Sequence, residues 1–332
     1  DPVRIAEARV ERRLLRYHSP ITTAHGSVAD RWTVLLTLVD EDGYVGVGEA
    51  APLAGFTPDT VDEAEAAIRG WVEDGAVDDR PVASVTARAA VDSALLDLAA
   101  RITGTTVHRL LAPASPDRLS VAALVTGATV EDLAASVAAA VAAGHATVKV
   151  KVGTHGIDGD VERVSAVRSR IGPDITLRLD ANGAWEAGEA VRHLDRLAAF
   201  DPEFVEEPVA GLEHLADVRF ASPVPIAVDE SARTVEDVRR AVEMGAADLV
   251  VLKPSAIGGP SEAARAAALV RSAGLDVVVT SLLEGSVGIR AAAHLASAIG
   301  ATDPAPGLAT AGLLAVDIAS PCLPVNGEIR LD

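Results

Sequence analysis

The chain has 332 residues, a net charge of −19 and one cysteine, Cys322. Such acidity opposes binding to a nucleic-acid backbone, and a lone cysteine excludes an internal disulfide or a cysteine-rich zinc site. No run of eighteen apolar residues is present to span a membrane. The opening Asp1-Pro2-Val3-Arg4 has no basic region ahead of an apolar stretch, so no secretory leader is expected in it and a cytoplasmic location is the expectation. Of 29 basic residues only three are lysines, Lys149, Lys151 and Lys253. High acidity with so little lysine suggests a high-salt host, the plainer explanation being a GC-rich genome. Full stability and activity without added salt would count against the first.

In chain order, residues 1–104 read as an α+β unit. Val3 to Tyr17 and Trp32 to Val39 are strand-like, and Glu41-Asp42-Gly43 signals a turn before Tyr44 to Gly48. Helices are expected near Pro58–Val72 and Pro81–Arg101, the second with apolar residues at helical spacing through Ala89, Val91, Ala94, Leu95 and Leu98. Two loops between these elements, His18 to Ser27 and Ala50 to Thr57, are rich in small and turn residues, with His25 as a polar exception.

From about Leu119, short apolar runs alternate with helical ones. Strands are expected at Leu119–Val125, Thr147–Val152, Ile175–Asp180, Phe204–Glu206, Pro225–Asp229, Leu249–Lys253, Val277–Thr280 and, more weakly, Ala305–Ala309. Helical runs such as Val130–Ala143, Ala187–Ala199, Val235–Met244 and Pro260–Ala273 lie between them. Roughly eight β-then-α units predict an α/β fold, a modified (β/α)8 TIM barrel over residues 105–312. Residues 313–332 are expected to return to the N-terminal unit. No GxGxxG or Walker loop points to a nucleotide.

A charged residue at the end of a buried strand is costly unless it has a role. Successive strands end in Lys149-Val150-Lys151, Arg178-Leu179-Asp180-Ala181-Asn182, Glu206-Glu207-Pro208, Asp229-Glu230 and Lys253-Pro254. In a barrel these ends converge on one face, which brings Lys151, Asp180, Glu206, Asp229 and Lys253 around one point. Three converging carboxylates repel one another. A hard dication relieves that, and all-oxygen ligation favours Mg²⁺, with Mn²⁺ as a substitute. A lysine near a dication and a second cation has a depressed pKa and can serve as a general base. Lys149, two residues before Lys151, points to the same side of its strand and is expected to lower the proton affinity of Lys151 and to touch a substrate carboxylate. Two lysines flanking a carboxylate suggest proton abstraction at its α-carbon by way of an enediolate, and hence a small-molecule carboxylate as the partner. The bland reading, salt bridges in a barrel mouth, accounts poorly for five charged strand ends in succession.

The series KVK, DAN, EEP, DE and KP, at these spacings, resembles the muconate-lactonising subgroup of the enolase superfamily over nearly the whole chain. The resemblance implies an N-terminal α+β capping domain, Mg²⁺ ligation by Asp180, Glu206 and Asp229, and Lys151 with Lys253 as the acid/base pair. Glu207 is the acid adjacent to proline and is not the expected ligand. Asn182, Arg178 and Glu230 are expected beside the substrate or behind the ligands. Residues 280–288 and 305–310 are most similar to the o-succinylbenzoate synthase family, which dehydrates a cyclohexadiene carboxylate in menaquinone biosynthesis. That similarity places Ser281, Leu283 and Gly307 at the substrate. Dipeptide epimerases of the subgroup carry Asp-x-Asp where this chain has Gly307-Leu308-Ala309, which counts against them. The activities of N-succinylamino acid racemase and muconate cycloisomerase stay open beside that of the synthase. A sugar-acid dehydratase would need a histidine near Val279-Thr280-Ser281, and none is there. A catalytically inactive metal-binding barrel would show a broken constellation, and none of the five positions is broken. Assembly into a homo-oligomer is compatible with all of this.

Overall fold

A computed structural model describes residues 4–23, 26–76 and 82–332; His25 lies outside the described residues. The N-terminal unit begins with β1 (Ile5–Thr23), β2 (Gly26–Asp40) and β3 (Val45–Ala50), followed by α1 (Val61–Glu73), α2 (Val85–Ile102) and α3 (Val107–Leu111). The strands pair antiparallel, and β2 alternates so that Val34, Leu36 and Leu38 point inward and are fully buried. They pack on Ile68 and Trp71 of α1 and on Ala87, Ala90, Ala94 and Leu98 of α2. The close approach of α2 depends on Gly46 and Gly48. A Cβ there would lie 2.2 Å from the Ala94 carbonyl oxygen and 1.9 Å from that of Ala90.

The second part contains β4 (Arg118–Ser120), β5 (Ala123–Val125), α4 (Val130–Ala142), β6 (Thr147–Lys151), α5 (Gly156–Ile171), β7 (Thr176–Asp180), α6 (Ala187–Leu197), β8 (Val205–Glu206), α7 (Leu212–Ala221) and β9 (Ile226–Val228). It continues with α8 (Val235–Glu243), β10 (Leu249–Leu252), α9 (Pro254–Ile257), α10 (Pro260–Ser272), β11 (Asp276–Val279), α11 (Ser286–Ala298), β12 (Leu314–Val316) and β13 (Glu328–Arg330). Strands β5 to β11 form one seven-stranded parallel sheet in sequence order. Capping boxes at Thr60/Glu63, Thr129/Asp132 and Thr234/Asp237 start α1, α4 and α8 by satisfying free backbone N–H groups. Residues such as Val148, Leu177, Val205, Ile226 and Val250 pack outward against the helices. Phe204, Ala227, Leu249, Val251 and Val278 form a separate cluster. Burial on both sides explains why these strands read as continuous apolar runs.

Several expectations need correction. Most of His18 to Ser27, expected as a loop, is strand: β1 runs on to Thr23 and β2 starts at Gly26, with Ile21 paired to Val28. The run Leu119–Val125 is not one strand: the N–H groups of Val121 and Ala122 turn to the carbonyls of Gly327 and Pro306. This divides β4, which pairs with β13, from β5, which opens the parallel sheet. The run Ala305–Ala309 forms no regular strand, only a bridge between Gly307 and Thr280. Pro304 and Pro306 lack N–H donors, so the segment cannot sustain a ladder. The C-terminal segment divides likewise, β12 joining β1 and β13 joining β4. Among the described residues, no helix is long and apolar enough to cross a membrane.

A histidine pair, His108 buried and His294 partly buried, links α3 to α11. His108 Nδ1 lies 3.0 Å from His294 Nδ1, and His108 Nε2 lies 2.9 Å from an Asp117 oxygen that Arg109 also engages. Burial, then the neighbouring His108, pushes His294 down to about 4. The unfolded chain, where a histidine titrates near 6.5, therefore binds more protons between these values. This residue's contribution is intact above about pH 6.5 and is lost toward pH 4, by up to ~3 kcal/mol. Denaturant unfolding of His294→Phe at pH 7 and 4.5 is expected to show a shallower pH dependence than the wild type. Identical slopes would refute the assignment.

Candidate active site

Every second residue of the parallel strands faces one interior, so charged residues come in two tiers. Lys149, Arg178 and Phe204 lie one step below Lys151, Asp180 and Glu206, and the register pairs Lys151 with Asp180 and Asp180 with Glu206. Asp229 and Lys253 follow directly on β9 and β10. All these residues line one cavity, so the structure brings together the five side chains expected from the strand ends. It also brings in Lys149, Arg178, Asn182, Glu230, Ser281, Leu283 and Gly307.

Asp180, Glu206 and Asp229 are nearly inaccessible to solvent, at 2, 2 and 4% exposure. Lys149 Nζ donates to Asp180 Oδ2 at 2.9 Å and to Glu206 Oε2 at 3.1 Å. Burial opposes its charge, but Asp180 and Glu206 outweigh that and hold it protonated. Lys253 pairs with Asp229, and despite burial its pKa is raised, chiefly by that partner. Lys151 differs. Among the described residues its Nζ donates only to the Thr22 carbonyl, 2.9 Å away, and burial pushes its pKa below the usual lysine value, with Lys149 adding repulsion. The two flanking lysines are thus unequal: burial lowers the proton affinity of Lys151, whereas Asp229 raises that of Lys253.

The carboxylates are held from behind. Asn182 sits at φ 46°, donating its backbone N–H to Asp180 Oδ1 at 3.0 Å and its amide to Glu230 Oε1 at 2.9 Å. Glu207, at φ 41°, turns away from the cavity and accepts from the Asp229 N–H at 2.8 Å and from the Ser231 hydroxyl. Arg178 is 2% exposed, donates Nε to Glu203 and Nη1 to the Ala305 carbonyl, and stacks on Phe204. Its Nη2 has no hydrogen-bond partner among the described residues.

The donor set suits a hard dication. Three buried oxygen anions converge without sulfur or imidazole, and burial followed by Asp180 drives the Glu206 carboxyl up to about 8, so the cluster is short of positive charge. Among the described residues, no three acidic, imidazole or thiol side chains are drawn into a finished ligand set. The carboxylates instead share the ammonium groups of Lys149 and Lys253.

The rest of the lining includes the apolar side chains of Ile21, Leu53, Phe56, Leu124, Val278 and Leu282. Phe56 packs 4.7 Å from Lys253 Nζ and 4.8 Å from the Arg233 guanidinium. Arg233 also donates to the carbonyls of Gly55 and Phe56, tying loop 50–57 to the sheet. Phe56, Thr280 and Thr310 were not foreseen. Phe56 alone carried a signal, as a bulky aromatic residue in a loop otherwise rich in small and turn residues.

Residues 132–331 match the enolase C-terminal domain-like family, and residues 5–112 match the mandelate racemase/muconate lactonizing enzyme N-terminal domain. The chain belongs to the enolase superfamily, in its muconate-lactonising subgroup. It is an enzyme of that superfamily, whose members use Mg²⁺. An o-succinylbenzoate synthase from Thermobifida fusca is 44% identical over 216 residues, which cover 64% of this chain and 66% of that protein, just short of two thirds. An L-Ala-D/L-Glu epimerase from Bacillus subtilis is 31% identical over 316 residues, covering 89% of this chain and 84% of the relative. The solved dipeptide epimerase of Enterococcus faecalis V583, complexed with Mg and the dipeptide L-Leu-L-Tyr, superposes with a TM-score of 0.91 at 27% identity, over 99% of this chain and 97% of that one.

Proposed function

We propose that the protein is an o-succinylbenzoate synthase, a carbon–oxygen lyase acting on a cyclohexadiene carboxylate. One observation carries the choice within the subgroup. Among the described residues, the cavity wall formed by Val278 to Leu283, Gly307 and Thr310 has no acidic side chain, so nothing there would hold a dipeptide's ammonium group. Asp180, Glu206 and Asp229 are the proposed ligands, with Asn182 and Glu230 behind them. When bound, Mg²⁺ supplies positive charge to the substrate carboxylate on which negative charge grows.

Lys151, as the neutral amine, takes the α-proton, and the C–H electron pair passes into an enediolate. Its new ammonium then returns that proton to the departing hydroxyl. The C–O bond breaks, water leaves, the ring becomes aromatic and Lys151 is neutral again. Lys253, kept cationic by Asp229, stabilises the enediolate from the opposite face. The free Nη2 of Arg178 and the hydroxyls of Ser281 and Thr280 are proposed to meet the substrate's distal polar groups, while Leu283 and Gly307 shape the space between.

We also propose that residues 305–309 close the parallel sheet into the modified (β/α)8 barrel. Support comes from hydrogen bonds of Gly307 N–H to the Val279 carbonyl, Ser281 N–H to the Gly307 carbonyl and Ala122 N–H to the Pro306 carbonyl. On this reading, residues 1–104 with β12 form the capping domain and residues 105–312 the barrel.

A second reading, inversion at the α-carbon of an N-acylated amino acid such as an N-succinyl amino acid, is favoured by the fuller coverage of epimerase relatives and by lysines on both sides of the carboxylates. An assay with the cyclohexadiene carboxylate and with N-succinyl amino acids, in Mg²⁺ with and without high salt, separates the two. Dehydration is expected; rapid racemisation without dehydration would make the protein an isomerase. Binding of Mg²⁺ to the folded chain should also raise its stability by ~2.7 kcal/mol at a hundred times Kd. Thermal unfolding with and without chelator checks this.

A further inference from the structure

The turn that forms one wall of the cavity is gripped from outside by the N-terminal unit. Leu282 and Leu283 line the cavity, and Leu283 stands at φ 60°, a left-handed conformation that persists in a residue with a side chain only where the surroundings impose it. The restraints are explicit. Tyr17 of β1 donates its hydroxyl to the Leu283 carbonyl at 2.7 Å. Arg31 of β2 donates Nη1 to the Leu282 carbonyl at 2.6 Å, Nε to the Pro52 carbonyl at 3.1 Å and Nη2 to the Ala51 carbonyl. This one buried guanidinium therefore fastens the turn to the start of the loop that carries Phe56.

Glu49, at the end of β3, reaches the first turn of α11 and accepts from the N–H groups of Gly285 at 2.9 Å and Gly288 at 3.0 Å. Both glycines leave room for it: a Cβ on Gly285 would lie 3.0 Å from Glu49 Oε2, and one on Gly288 would lie 3.3 Å from it. Beside it, Glu284 accepts from the Ser255 hydroxyl at 2.7 Å and from the Leu282 N–H. That connects the same turn to the residue two positions beyond Lys253. Arg31, Glu49 and Glu284 are all nearly fully buried, so each bond is made in a low-dielectric setting where its loss is costly.

We propose that Tyr17, Arg31 and Glu49 are positioning residues that set substrate selection: they hold the Leu282–Gly285 turn and residues 51–52 in register, fixing the cavity wall without touching substrate. The proposal rests on the function above only in that substrate occupies this cavity. The test compares full-length, Mg²⁺-loaded wild type with Arg31→Met, Arg31→Lys and Tyr17→Phe. One measurement is kcat and KM for the carboxylate the wild type turns over; the other is amide hydrogen exchange across residues 280–289, with α5 as an internal reference.

Arg31→Met is expected to raise KM about tenfold or more with kcat changed less than about threefold. Exchange should accelerate at 280–289 while α5 stays protected. Arg31→Lys keeps a cation but cannot reach three carbonyls, so a smaller KM rise is expected. Tyr17→Phe removes one hydroxyl and serves if Arg31→Met does not fold, with the same direction at about threefold. Unchanged KM with unchanged exchange at 280–289 would overturn the proposal, as would a uniform acceleration that includes α5. If the wild type dehydrates nothing, the synthase reading fails, and exchange at 280–289 still decides whether the strap exists.

Discussion

Replacing Lys151 with alanine is expected to lower turnover by 10²–10⁴-fold, the usual contribution of a positioned general base, and to stop deuterium uptake at the substrate α-carbon. The expectation follows from an asymmetry in the site. Lys149 and Lys253 are each paired with a buried carboxylate that raises their proton affinity, whereas among the described residues Lys151 meets only a backbone carbonyl and burial lowers its proton affinity. Lys253→Ala should also slow the reaction, but through lost charge stabilisation, so slow exchange at the α-carbon should survive. ¹H NMR in D₂O distinguishes the two variants. Full exchange in Lys151→Ala would mean that another group is the base.

The second large effect is expected at the proposed metal ligands. Asp229→Asn keeps an oxygen in place but removes one of three negative charges, and Mg²⁺ affinity should fall at least ~100-fold, the upper range already seen when outer-shell partners are lost. Calorimetric titration measures this directly. Lys253 loses its ion-pair partner in the same variant, so high Mg²⁺ should restore turnover only partly. Unaltered affinity would remove Asp229 from the ligand set.

Much of the site was legible because strand ends obey a simple parity. Side chains two apart on a strand face the same way, so Lys149/Lys151 and Arg178/Asp180 could be assigned to one interior from sequence. The scarcity of lysine drew attention to the same places. What stayed hidden lay outside that rule. The apolar pattern runs unbroken through Leu119–Val125, and nothing in it shows that two N–H groups leave the ladder for Gly327 and Pro306. The irregular course of residues 305–309 was signalled by Pro304 and Pro306, which a reading of apolar runs passes over. The strap of Tyr17, Arg31 and Glu49 joins residues more than two hundred positions apart. No local pattern reports such a contact, and a leucine at positive φ has no sequence signature.

On the proposed function, Lys151 removes a proton next to a carboxylate in a site completed by a dication. The most direct test is single-turnover ¹H NMR of the wild type in D₂O, with the cyclohexadiene carboxylate and with N-succinyl amino acids, in Mg²⁺ and after chelation. Loss of the α-proton signal in Mg²⁺, and its persistence after chelation, is the predicted result. An α-proton that persists in Mg²⁺ with every substrate, or that exchanges equally fast after chelation, would contradict the account.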